Sequence, residues 1–280
     1  MTTSSLRRKD GRWQVDHQEV RVQACDVDLG EGESLRLIQI PAGDFLMGSP
    51  ASEPERSADE GPQHRVRLAS LLLGQTPVTQ GQWGVVARWP KLELVLKPDP
   101  SGFKGARRPV EQVSWEQALE FCRRLSQRTG LPFTLPSEAQ WEYACRAGTI
   151  TPFAFGATIT PELANYDGTC SYVDGPKGHF RAETTDVASF PANAWGLHDM
   201  HGSVWEWCLD TWHGSYEGAP TDGSPWLTGT HSRKLLRGGS WSHYPRYCRS
   251  ASRDLLQPVY AFGHVGFRVV CLPQGPSLIP

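Results

Sequence analysis

Residues 193–207 read Asn193-Ala-Trp-Gly-Leu-His-Asp-Met-His-Gly-Ser-Val-Trp-Glu-Trp207. Three tryptophans are interleaved here with glycines and turn-forming polar residues, which is typical of a loop held by aromatic rings. The same turn-rich character extends over residues 150–235. So long an irregular stretch has to be pinned by aromatic side chains, by an ion, or by both.

The two histidines of this stretch, His198 and His201, do not form a recognisable zinc site. Their spacing is short, and no third ligand follows at a standard distance along the chain. Trp195, Trp205 and Trp207 are interpreted as core and loop anchors. No Glu-Pro-Asn or Gln-Pro-Asp triplet is present to hold a sugar through calcium.

The composition of the whole chain favours a loop-rich α+β domain. Its 280 residues include 11 Trp, 28 Gly and 22 Pro, while only 39% are hydrophobic, which argues against a helical bundle. The length permits one large domain, which we prefer, or two small ones. With a formal net charge of -2, the chain lacks the positive surface potential that would attract a phosphate backbone, so we expect no nucleic-acid partner.

The sequence carries no sign of export or of membrane insertion. No apolar run follows the positive charges near Met1, and no 18 uninterrupted apolar residues occur anywhere. The seven cysteines are scattered and contain no Cys-x-x-Cys pair, so reduced thiols are the simplest interpretation. We therefore expect a cytoplasmic protein with no membrane partner.

Three short helices are predicted from their starts. Thr79, Ser114 and Ser137 are the N-cap candidates, and Gln117 completes a capping box with Ser114. In the second helix, apolar residues repeat at helical spacing and should face the core. These are Ala118, Phe121, Cys122 and Leu125.

The first half of the chain predicts the domain boundaries. Residues 1–34 are polar and weakly patterned, which indicates a partly ordered N-terminal extension. Residues 35–48 read as strand, Pro-Ala-Gly turn and strand, the opening hairpin of a domain over residues 35–273. Residues 274–280 are left as a tail.

Seven segments, in this order along the chain, resemble the formylglycine-generating enzyme (sulfatase-modifying factor) family. They are Phe45-Leu-Met-Gly-Ser, Thr76-Pro-Val-Thr-Gln-Gly-Gln-Trp, Pro109-Val-Glu-Gln-Val-Ser-Trp, Leu135-Pro-Ser-Glu-Ala-Gln-Trp-Glu-Tyr-Ala, Asn193 to Trp207, Leu236-Arg-Gly-Gly-Ser-Trp and Val265-Gly-Phe-Arg-Val. The resemblance implies a C-type lectin-like fold with two or three short helices and small antiparallel sheets. It does not decide function, since the family contains both enzymes and binders.

The enzymes of this family oxidise a substrate cysteine with copper held by two cysteines. Here His243 stands at the first ligand position and Cys248 at the second, and imidazole suits Cu(I) less well than thiolate. An alternative register, counted back from Arg253, leaves neither ligand in place. The two-cysteine site is not intact, so we expect no copper and no enzymatic role. The alternative is a metal-dependent oxidase that acts on a thiol substrate through His243 and Cys248.

Arg237 to Val269 resembles the cassette of the variable proteins that retroelements diversify, with Pro245-Arg246 and Cys248 to Arg253 as framework. The remaining residues of segment 241–264 lack period 2 and period 3.6, so we predict a ligand surface for a protein or peptide. Its predicted residues, called the variable residues below, are Trp241, Ser242, His243, Tyr244, Tyr247, Asp254, Leu255, Leu256, Val259, Tyr260, Phe262 and His264. The alternative is a small core beneath a loop.

Gly202-Ser-Val-Trp-Glu206 resembles the calcium loop of the family. The resemblance implies Glu206 as the side-chain ligand and the carbonyls of His201, Gly202 and Val204 as the others, although Ser203 replaces the usual Asn. Oxygen donors of this kind suit a hard cation. The alternative is that Glu206 pairs with a buried arginine or a backbone amide.

Overall fold

The computed structural model describes residues 1–229 and 231–272. Within these ranges the strands are β1 (Thr2–Lys9), β2 (Arg12–Glu19), β3 (Ala24–Gly30), β4 (Glu33–Ile40), β5 (Gly43–Met47), β6 (His64–Leu68), β7 (Leu71–Gly74), β8 (Phe133–Thr134), β9 (Trp205–Thr211), β10 (Lys234–Arg237), β11 (Arg253–Leu256), β12 (Val265–Gly266) and β13 (Val270–Cys271). The helices are α1 (Gln80–Arg88), α2 (Trp115–Thr129) and α3 (Glu138–Arg146), with 3-10 turns at Ala58–Glu60 and Pro245–Cys248. The predicted α+β class is confirmed.

The strands form two larger sheets and two hairpin-like pairs. One sheet has the order β3-β4-β7-β13-β8, and the other has the order β11-β10-β9-β12. In the second sheet β10 lies antiparallel and β12 parallel to β9, on its opposite sides. The chain between β10 and β12 therefore leaves and re-enters the sheet beside the same central strand.

The three helices begin at the residues predicted to cap them. The side chains of Thr79, Ser114 and Ser137 each accept a hydrogen bond from the backbone N–H three residues on, and the glutamine there closes the capping box. The apolar face predicted for α2 is buried throughout. Local chemistry thus fixes where each helix starts.

The main core joins helices α1 and α2 to both larger sheets. Trp83 stacks on Phe121 at 5.6 Å between ring centroids, and the edge of Phe267 meets Phe121 at 5.3 Å. Trp205 and Trp207 of β9 are fully buried in the same cluster. As predicted, these tryptophans are anchors of the core.

Residues 35–48 do not form the predicted hairpin. Strands β4 and β5 exist at the predicted places, but β4 pairs with β3 and β7, whereas β5 pairs with β6. Because both edges of β4 are already taken, the turn after it carries the chain into a separate two-stranded sheet.

Residues 1–34 are more regular than their polar pattern predicts. They contain β1 and β2, which pair along their whole length, and β3, which joins the five-stranded sheet. Leu6 is buried and donates its backbone N–H to Phe155 O at 2.7 Å, while Trp13 packs against the same small core. The stretch is therefore packed on the domain. Of the predicted C-terminal boundary, residue 273 and the tail 274–280 lie outside the described residues.

The prediction that residues 150–235 are irregular holds except at β9 and at the first residues of β10. Six of the seven residues of β9 are buried, so both faces of the strand lie in the interior and no alternating pattern marks it. Among residues 1–229 and 231–272, none of the helices has the length and apolar character needed to cross a membrane.

Candidate ligand surface and its buried frame

Segment 241–264 is held at both ends by the four-stranded sheet. It leaves β10, passes through the 3-10 turn Pro245–Cys248, returns as edge strand β11 and then reaches β12. Backbone hydrogen bonds fix the loop before β12: Trp115 N–H donates to Pro258 O at 3.0 Å, and Gln112 N–H donates to Phe262 O at 3.0 Å. The segment is a tethered surface loop.

None of the twelve variable residues is buried. Tyr244, Val259, Tyr260 and Phe262 are 47%, 61%, 52% and 43% exposed. The other eight are half-buried, and two of them, Tyr247 and Leu256, also pack against the main core. The structure thus displays these side chains, although the alternative of a small core under the loop applies in part to Tyr247 and Leu256.

Most of the framework residues are buried. Pro245 and every residue from Cys248 to Arg253 are buried, while Arg246 is exposed and lies over the Tyr247 ring at 4.5 Å. Apart from Arg246, the framework is therefore buried, whereas the variable residues are at least partly exposed.

Arg249 ties the framework to the loop before β6. Its guanidinium is 2% exposed, and it donates to Glu53 at 2.7 Å, to Glu60 at 2.5 and 2.7 Å, and to Glu55 O at 3.1 Å. Burial alone would lower the pKa of Arg249, but the pairing with Glu60 and Glu53 raises it above the ordinary value. The charge is kept and fully paired.

Arg253 ties the other end of the framework to helix α3. It donates to the Glu138 carboxylate at 2.6 Å and to the carbonyls of Asp59 and His213 at 2.7 and 2.8 Å. Glu138 stands in the first turn of α3, where a negative charge is favourable. Two buried arginines, four residues apart, thus anchor the turn beneath the surface.

An aromatic row crosses the exposed side of the segment. Phe262 lies 6.1 Å from Tyr260 and stacks on His264 at 5.5 Å, and His264 lies 5.3 Å from His243, all between ring centroids. His243 in turn meets the edge of Tyr247 at 5.5 Å. Rings that contact one another along such a row lose little conformational entropy on binding, because their rotamers are already restricted.

The surface also contains residues that sequence reasoning missed. Phe180 is 40% exposed and lies nearly parallel to Trp241 at 6.2 Å, while Phe103 meets Trp241 edge-on at 5.2 Å. The indole N–H of Trp241 donates to Gly263 O at 2.9 Å. Phe180 lies in the irregular stretch 150–235, where no local sequence pattern indicates that it belongs to this surface.

The two residues at the copper positions have different environments. His243 Nδ1 lies 2.7 Å from Ser240 Oγ, and burial lowers the pKa of this half-buried imidazole to about 4. Cys248 is fully buried in the small core that contains Phe153, and burial raises the pKa of its thiol. A protonated, enclosed thiol is a poor metal ligand.

Glu206 makes the contacts of the alternative to calcium binding, in which it pairs with a buried arginine. Arg268 donates to both carboxylate oxygens at 2.6 and 2.7 Å, and the Trp141 indole N–H donates at 2.7 Å. Gly202 has φ +87°, and a Cβ there would lie 2.3 Å from Asn165 O, so only glycine fits. Calcium binding at His201, Gly202, Val204 and Glu206 stays a prediction. Measuring the thermal unfolding temperature with added calcium and with a chelator would test it.

An exposed segment on a buried, arginine-braced frame, within a loop-rich α+β fold, defines a C-type lectin-like domain of the formylglycine-generating-enzyme kind. Residues 30–272 match the sulfatase-modifying factor enzyme 1-like domain, and the chain belongs to that family.

Formylglycine-generating enzymes and a variable protein are among the proteins similar to this chain. A formylglycine-generating enzyme of Streptomyces coelicolor is 27% identical over 82% of this chain and 87% of its own length. PvdO of Pseudomonas aeruginosa has a TM-score of 0.76 with 32% identity, covering 88% of this chain and 97% of that one. Treponema denticola variable protein 1 has a TM-score of 0.74 with 25% identity, covering 89% and 99%.

Proposed function

We propose that this chain is a ligand-binding protein, the variable protein of a diversity-generating retroelement, and that segment 241–264 presents its binding surface. One observation carries the proposal: the variable residues are all at least partly exposed, while the framework apart from Arg246 is buried and is ion-paired through Arg249 and Arg253. Substitutions on the surface then change the partner without disturbing the frame.

The chemistry of the surface suits a protein or peptide partner. Tyr244, Tyr260 and Phe262 offer large rings with few torsions to freeze, and tyrosine hydroxyls can bond at the rim of an interface. Preorganisation reduces the entropy lost on binding, because the loop is already fixed by backbone hydrogen bonds. The similarity to Treponema denticola variable protein 1 supports the assignment of this chain as a variable protein.

The gene offers a direct test. We expect a reverse transcriptase gene nearby and a near-copy of the codons for residues 237–268 that differs from them only where the copy has adenine. Identical codons at all twelve variable positions in many isolates, with no such copy in the genome, would contradict the proposal.

Alanine substitution tests whether the rings are displayed or structural. We expect Tyr260→Ala and Phe262→Ala to change the free energy of unfolding by less than about 1 kcal/mol, because exposed side chains lose little packing. Chemical denaturation measures it, and the fully buried Phe267 provides the control, since Phe267→Ala should cost clearly more. Equal losses at all three positions would show that the surface rings belong to the core.

A metal-dependent oxidase acting on a thiol is the second candidate, and the similarity to formylglycine-generating enzymes favours it. It requires stoichiometric copper or iron that depends on His243 and Cys248. Metal analysis of the purified protein and of Cys248→Ala would decide, since a stoichiometric metal lost in that variant would contradict a role in binding alone.

A further inference from the structure

The centre of the aromatic row holds two histidines from different parts of the loop. His243 follows β10 and His264 precedes β12, and their ring centroids lie 5.3 Å apart with planes tilted by 59°. Both are half-buried. The aromatic rings of Trp205, Tyr247 and Phe262 pack around the pair at 5.5 to 5.6 Å.

One ring of the pair is already oriented by its neighbours. Ser240 Oγ lies 2.7 Å from His243 Nδ1, which leaves Nε2 of that imidazole as the nitrogen without a protein partner among the described residues. In metal sites, a hydrogen bond to the other ring nitrogen fixes the orientation of a histidine ligand and selects its tautomer. Within the same ranges neither ring nitrogen of His264 makes a hydrogen bond, and neither is closed off from solvent.

The separation of the rings suits one shared ion. Zinc–nitrogen bonds of about 2.0–2.1 Å put a metal about 3.2 Å from each ring centroid. For an ion bound by one nitrogen of each ring, two centroids 5.3 Å apart would subtend an angle of roughly 110° at the metal, which is close to tetrahedral. A linear arrangement would need a separation of about 6.4 Å.

We infer that His243 and His264 form a binding site for a divalent transition-metal ion such as Zn²⁺, at the centre of the ligand surface. Two protein nitrogens leave coordination positions open, so water or a donor atom of the bound partner completes the shell. The site does not use Cys248, whose thiol is buried in a different cluster. It therefore shares His243 with the oxidase alternative but uses His264 in place of Cys248.

Zinc titration by calorimetry tests the inference, with Cys170→Ser as the background because Cys170 is an exposed free thiol. We expect one equivalent of Zn²⁺ to bind, and His243→Ala or His264→Ala to weaken binding by at least about tenfold. His179→Ala is the matched control, since His179 is an exposed histidine outside the pair, and it should leave the affinity unchanged.

Cobalt(II) separates the two possible ligand sets. Imidazole ligation gives visible ligand-field bands alone, whereas thiolate ligation adds a near-ultraviolet charge-transfer band. Visible bands that persist in Cys248→Ala and vanish in His264→Asn would support the pair. Unchanged Zn²⁺ affinity in a folded His264→Ala, checked by circular dichroism, or a metal lost only in Cys248→Ala, would overturn the inference. Neither outcome bears on the surface exposure that supports ligand binding.

Discussion

Arg249→Met should lower the free energy of unfolding by about 3–5 kcal/mol, although methionine fills much of the same space. The substitution removes the cation that is ion-paired with two carboxylates, Glu53 and Glu60, which are 3% and 1% exposed. Two buried negative charges would then face each other without compensation. Chemical denaturation at neutral pH measures the change.

Arg246→Met is the matched control, because Arg246 lies three residues away on the same turn and its side chain is exposed. We expect a change below about 0.5 kcal/mol there, as for most surface positions. A triple variant that adds Glu53→Gln and Glu60→Gln to Arg249→Met should recover part of the loss, since the uncompensated charges are gone. Equal effects of Arg249→Met and Arg246→Met would show that the buried ion pairs do not support the turn.

The parts of the fold that the sequence predicts well are those set by local chemistry. A hydroxyl followed three residues later by glutamine satisfies the free N–H groups of a helix start, so the N-caps at Thr79, Ser114 and Ser137 could be located without knowing what the helices pack on. The order of family-like segments supplied the rest of the architecture, which periodicity alone could not name.

The parts that were missed depend on long-range partners. Strand β4 was found, but its neighbours β3 and β7 are chosen by sheet packing that no turn signal encodes. Strand β9 is buried on both faces and therefore lacks alternation. The polar residues 1–34 became ordered because their few apolar side chains, such as Leu6, reach a distant core.

The candidate site divides in the same way. The lack of period in segment 241–264 predicts a ligand surface, and all twelve variable residues are at least partly exposed. That they bind a ligand stays a prediction. The pairing of Arg249 with Glu60, which is 189 residues away along the chain, and the stacking of Phe180 on Trp241 could not be foreseen. Such contacts are properties of the folded chain only.

His201 should make the stability of the protein fall in acid by about 3 kcal/mol between pH 6.5 and pH 4. Burial lowers the pKa of this fully enclosed ring from the ordinary 6.5 to about 4. The ring accepts a hydrogen bond from Ala154 N–H at 3.0 Å through Nε2, and Nδ1 lies 2.8 Å from Cys248 O. Protonation at Nε2 would place the new N–H of His201 opposite the N–H of Ala154, so this hydrogen bond beneath the ligand surface would be lost.

The direction follows from proton counting. Between pH 4 and pH 6.5 the unfolded chain binds a proton at His201 that the folded chain does not, so the free energy of unfolding falls as the pH drops through this range. Asp210 acts oppositely: burial raises its pKa from 3.8 to about 7, so its contribution is lost as the pH rises between these values. The slope of the parent protein alone therefore mixes His201 with other groups, Asp210 and His243 among them.

The difference between the parent and His201→Gln isolates the histidine, because Asp210 is common to both. Denaturant unfolding at pH 7 and at pH 4 should show the advantage of the parent shrinking by about 3 kcal/mol. If the advantage is the same at both values, His201 is not a neutral ring held between Ala154 and Cys248. The turn that carries the variable residues would then lack the support that its rigidity requires.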